Sequence, residues 1–161
     1  MRRAAAFLTL ALVGWAGLAA TAGAGSRELL WSFPVAEHNV LAHCNGFDVV
    51  DHVSGHVDVT VWYDKDGLPR RMVMDNRGVH TLYNSVSGFF VDSRYHRKFM
   101  TDVDAQRTHV VGPAYHVTVP GVGAVLFETG TIKFENGVLT HLSGRHDIMD
   151  GGLDRLCAAF A

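Results

Sequence analysis

The sequence predicts an all-β domain, an antiparallel up-and-down meander of seven to eight strands that ends in a short helix. Three observations predict it. Short runs of alternating apolar and polar residues follow one another from Val57 onward. Turn signals rich in Gly, Asp and Asn separate those runs at close, regular spacing. No segment between them carries a helical period of useful length.

Val57, Val59, Val61 and Tyr63 alternate with Asp58, Thr60 and Trp62, which makes a first strand. Asp64-Lys65-Asp66-Gly67 turns the chain into Pro69–Met74, and Asp75-Asn76-Arg77-Gly78 is expected to turn it again into Val79–Val86. Ser87-Gly88 suits a tight hairpin into Phe89–Tyr95 because Gly tolerates the positive φ of such turns. After a polar interval, Arg107–Val111 and Tyr115–Val119 flank Gly112-Pro113. Pro120-Gly121-Val122-Gly123 leads into Ala124–Glu135, with a kink expected at Gly130. Glu135-Asn136-Gly137 is the strongest hairpin signal, and Val138–Leu142 returns from it. Beyond Gly151-Gly152, Leu153, Leu156, Cys157 and Phe160 fall on one helical face. A meander of this kind is stable as a closed barrel or a folded sandwich; the short connections favour a small barrel of the lipocalin type.

The first 24 residues stand apart from the fold. Arg2 and Arg3 give a positive head, Ala4–Ala20 is uncharged and apolar, and Ala20–Gly25 offers Ala-x-Ala sites after Ala22 or Ala24. That order is expected of a secretory signal peptide over residues 1–24, with one domain over residues 25–161 and a secreted, extracellular product. The apolar stretch is short for a membrane anchor, and no later stretch is long enough to span. Loss of Arg2 and Arg3 would take the formal charge from −2 to −4. No Lys/Arg cluster exceeds a pair, so the footprint of a nucleic-acid binder is absent. Cys44 and Cys157 are the only two cysteines. An even count in an exported chain favours a disulfide between them, closing almost the whole domain into one loop and contributing roughly 4–5 kcal/mol.

Five features carry a resemblance: Tyr83-Asn84 with Gly88, Val119-Pro120-Gly121-Val122-Gly123, Gly137, Ser143-Gly144-Arg145-His146, and Leu156-Cys157-Ala158-Ala159. From Cys44 to its end the chain resembles an uncharacterised family of short secreted actinobacterial-type β-rich proteins with one cysteine pair bracketing the domain. The resemblance implies a layout and a compartment, and no chemistry.

Ten histidines are the compositional oddity. Imidazoles bind metals or move protons near neutral pH, but metal ligands must converge. His52 and His56 would share a helix face, yet Ser54-Gly55 lies between them in a loop-to-strand context. Neither cysteine has zinc-ligand spacing to a histidine, so no metal or other cofactor is expected. No Gly-x-Ser-x-Gly marks a nucleophile, and Gly121 and Gly123 lack the following helix of a phosphate-cradling loop.

Strand alternation offers a subtler candidate. His80, His116, Glu128 and His141 fall on a half-polar face beside Leu82, Leu126 and Leu139. Pointing inward, that face would line a ligand cavity with a few polar anchors in an apolar wall. Pointing outward, it would be a solvated surface over a Val/Phe core. Three functions stay open. The first is a non-enzymatic barrel binding a small, partly apolar or amphiphilic ligand or a partner protein, with His80, His116, Glu128 and His141 as ligand-binding residues. The second is a small barrel enzyme of cyclase or isomerase type using interior His and Glu. The third is a structural or envelope-associated interaction module.

Overall fold

The computed structural model describes residues 25–161; the expected leader, residues 1–24, lies outside the described residues. Alternation extends further back than Val57, because Val49, Asp51 and Val53 continue the odd-numbered series of Val57, Val59 and Val61 on the same buried face. The strands are β1 (Arg27–His43), β2 (Asp48–Tyr63), β3 (Pro69–Asn84), β4 (Phe90–Asp102), β5 (Arg107–Val119), β6 (Gly123–Glu135) and β7 (Val138–His146). They form one antiparallel sheet in chain order, followed by helix α1 (Gly152–Phe160). The all-β meander and its C-terminal helix are as expected.

Two expected turns are absent, and a strand appears that the alternation does not announce. Asp75-Asn76-Arg77-Gly78 runs straight through β3, paired on both sides with Gly55–Asp58 and Tyr95–Lys98. Its turn-forming side chains find cross-strand partners instead: Asp75 meets His96 at 2.7 Å and Lys98 at 3.2 Å, and Asn76 accepts from the Tyr95 hydroxyl at 3.0 Å. Gly112-Pro113 runs through β5, pairing with Gly130 and Thr129. Proline is tolerated there because the β4–β5 ladder ends at Lys98–Val111, so no backbone donor is required on that side. β1 pairs only with β2 and is mostly exposed, which explains its weak apolar signal. The Asn136-Gly137 turn has φ of 50° and 77°, two consecutive positive values as a tight hairpin demands.

Glycines sit where the sheet coils. Gly112, Gly130 and Gly144 are neighbours across β5, β6 and β7, all with positive φ. A Cβ at any of them would strike the backbone of an adjacent strand. Gly55 and Gly78 face each other across β2 and β3, and Cβ atoms there would meet the Tyr95 ring or hydroxyl. The curvature is visible in side-chain contacts. The Tyr115 hydroxyl of β5 reaches Asp51 of β2, although β3 and β4 lie between them in the sheet. Across a flat sheet those strands would stand about 14 Å apart.

The expected closure into a barrel is not made. β1 bonds only to β2 and β7 only to β6, so both remain edges. Seven strands fall short of the number, about eight, at which small barrels ordinarily enclose a side-chain-filled interior. One end of the roll is plugged. Leu156 and Phe160 of α1 pack with Ala42, Val49, Leu82, Val117 and Leu126 in the main core. The Cys44–Cys157 disulfide ties the helix to the β1–β2 connection across 113 residues of sequence. Asn84 donates to the Phe160 carbonyl at 2.7 Å and accepts from the Val86 and Ser87 amides, holding helix and β3–β4 turn together.

Candidate functional site

Beyond the helix plug, the concave face of the roll stays open. A cleft of about 500 Å³ lies between β1, β2, β3, β4 and β5. Its apolar wall comes from Phe33, Val35, Val57, Met74 and Phe99, and polar side chains are set among them. The cleft is accessible from the β1 side, where Phe33 and Glu37 are exposed.

Asp51 organises the polar floor. It is 3 % exposed and projects from β2 onto the inner face, where its register partner is Leu82. His80 Nδ1 donates to both its oxygens, at 2.8 and 3.0 Å, and the Tyr115 hydroxyl donates to Oδ2 at 2.6 Å. Two donors satisfy the buried carboxylate, which would otherwise be costly to desolvate. With Nδ1 directed at Asp51, the His80 ring turns Nε2 away from the carboxylate. The ring is wedged between Tyr95 and Tyr115, with centroids 4.6 and 4.2 Å away. Burial, the hydrogen bond to Asp51 and the charge of Asp51 all push the Tyr115 hydroxyl far above its usual range, so it stays protonated. Burial also raises Tyr95.

A second buried pair lies on β6 and β7. His146 Nδ1 donates to Glu128 Oε1 at 2.6 Å, and Nε2 lies 3.1 Å from the Ser143 carbonyl. Both ring nitrogens face acceptors, so the imidazolium suits the site. The hydrogen bond to Glu128 raises His146 despite its burial. Among the described residues, no three His, Cys, Asp or Glu side chains converge as a metal ion would require. No helix among them is long and apolar enough to cross a membrane.

No family model, curated protein or solved structure matches this chain.

Of the four residues on the predicted half-polar face, His80 and Glu128 point inward and are buried. His116 and His141 are not brought to them. His116 is exposed on the outer face, stacked on Phe127 at 4.4 Å, while Arg145 covers the same ring at 4.5 Å. His141 is exposed opposite Lys133 on β7. Strand bulges explain the split. A register shift between Pro113 and Tyr115 sets Tyr115, Val117 and Val119 inward, so His116 faces out while Glu128 and Leu126 face in.

Asp51, Tyr95, Arg97 and Tyr115 belong to the cleft and were not among those candidates. Asp51 had a signal: it is a charged residue on the Val49–Val61 apolar face. Tyr115 likewise shares its strand face with Val117 and Val119.

Proposed function

We propose that this is an exported, non-enzymatic protein that holds a small, partly apolar molecule on the concave face of its sheet. The rolled meander serves as an incomplete barrel. One observation carries the proposal, the cleft of about 500 Å³ with an apolar wall and the Asp51–His80–Tyr115 network at its floor. Small-molecule sites have this size and this composition, apolar linings with a few fixed polar groups. The Cys44–Cys157 disulfide supports an oxidising compartment, in keeping with the apolar leader sequence.

A specific observation favours a second function. Asp51 orients His80 as a general base is oriented, with Nε2 turned away from the carboxylate, in a cleft that could hold a substrate. Proton abstraction in an isomerisation or cyclisation is the chemistry that arrangement fits.

Native mass spectrometry of protein recovered from its host culture tests the binding function. A non-covalent adduct is expected on the wild type and not on Val35→Trp, which fills the cleft from the edge strand. Bare protein in both, with no cleft resonance moved by a fragment library, would overturn it. Chemical conversion of the captured molecule on incubation would replace the binder by the enzyme.

A further inference from the structure

The cleft is lined by one guanidinium, that of Arg97, and among the described residues no carboxylate is paired with it. Arg97 lies on the inner face of β4, opposite Asn76 and between Tyr95 and Phe99 in the alternation. Its Nε is sealed from solvent and meets no acceptor among the described residues. Burial pushes the guanidinium down, and the charge of Glu128 opposes that shift through space, without a hydrogen bond. It nevertheless remains a cation at ordinary pH.

The two buried carboxylates of the inner face are committed elsewhere. Asp51 takes His80 and Tyr115, and Glu128 takes His146 and the Ile148 amide. Glu37, also on the cleft wall, sits on the exposed edge strand and makes no ion pair among the described residues. A half-buried guanidinium whose sealed Nε meets no acceptor is destabilising, and replacing it by an apolar side chain would relieve that cost. Such groups persist where function requires them. The guanidinium is a rigid, planar fork whose donors match a carboxylate in bidentate fashion. Phe99, Met74 and Val57 supply apolar surface in the same cleft.

We propose that Arg97 is the anion anchor of the cleft and that the ligand is a small amphiphilic carboxylic acid. Its carboxylate pairs with the guanidinium, and its apolar body lies along Phe33, Val57, Met74 and Phe99. This inference rests on the cleft being a small-molecule site and names the ligand class it takes.

Isothermal titration with matched acid and alcohol pairs tests it. Suitable probes are 4-phenylbutanoate with 4-phenylbutan-1-ol, 4-cyclohexylbutanoate with 4-cyclohexylbutan-1-ol, and octanoate with octan-1-ol, each below any aggregation threshold. Wild-type protein is expected to bind at least one acid about tenfold or more tightly than its alcohol, the scale of a charge-assisted contact. Arg97→Met should abolish that preference and leave the alcohol affinity unchanged, while Arg97→Lys, which keeps the charge, should retain part of it. Arg97→Met should also melt at a higher temperature than the wild type. Equal affinity for acid and alcohol in the wild type, or a preference surviving in Arg97→Met, would overturn the anchor and leave the cleft standing. A lower melting point for Arg97→Met would show that the guanidinium is already satisfied in the free protein, and would overturn it too. Should no acid and no alcohol bind, the cleft itself fails as a site and the anchor with it.

Discussion

Tyr115→Phe removes one oxygen from the buried network and nothing else. The ring that stacks on His80 at 4.2 Å is kept, so packing is nearly unchanged. What is lost is the 2.6 Å hydrogen bond to Asp51, a carboxylate 3 % exposed that water cannot readily re-solvate. Hydrogen bonds to charged groups contribute about 1.5–3 kcal/mol. A domain of this size should therefore lose about 5–12 °C of melting temperature. The pH profile gives a second signature. Because the Tyr115 hydroxyl is raised above its unfolded value, the folded state holds a proton that the unfolded chain releases above about pH 10. Its contribution is complete below that pH and declines as pH rises further. Thermal and urea denaturation of the oxidised protein at pH 7, and then from pH 9 to 11, would measure both effects. The wild type should lose stability on the alkaline side more steeply than Tyr115→Phe. A variant with an unchanged midpoint at pH 7 and the same alkaline slope would refute the network.

Three further outcomes are expected. Glu128→Gln should remove the support that raises His146; that support is full below about pH 6.5 and lost as pH climbs through the higher folded value. The gap between variant and wild type in urea should accordingly be wider at pH 5.5 than at pH 8.5, and an equal gap would contradict the assignment. Gly137→Val should cost about 1–3 kcal/mol, the scale of backbone strain. A Cβ there meets nothing within 4 Å, so the whole cost comes from φ 77° and should appear as a lower denaturation midpoint with the same native spectrum. Reducing the Cys44–Cys157 bridge should lower stability by about 4–5 kcal/mol, since it closes a loop of 113 residues. Calorimetry with and without reductant would read it, and identical melting curves would exclude that contribution.

Much of the fold is legible in particular residues. Val57–Tyr63, Asn136-Gly137 and the Leu156/Phe160 stripe declare a strand, a hairpin and a packed helix by local rules alone. Asp75–Gly78 misleads for a physical reason. Asp, Asn and Gly favour turns when their side chains must bond locally, but here His96, Lys98 and Tyr95 supply partners from β4. Those partners are long-range and carry no local signal. The site is half legible by the same logic. Alternation alone places His80 and Glu128 on a half-polar face, whereas the bulge that turns His116 outward arises between Pro113 and Tyr115 from pairing with β6. Arg97 is silent in sequence, since nothing local says that a basic residue beside Lys98 enters a cleft.

The central claim is that the concave face around His80, and not the outer face, receives a small molecule. Two-dimensional NMR of the imidazole resonances during titration with the carboxylic acid probes tests it most directly. The His80 signals should shift in a saturable manner while those of His116 and His141, on the outer surface, stay in place. Stationary His80 signals, whether or not the outer histidines move, would contradict it.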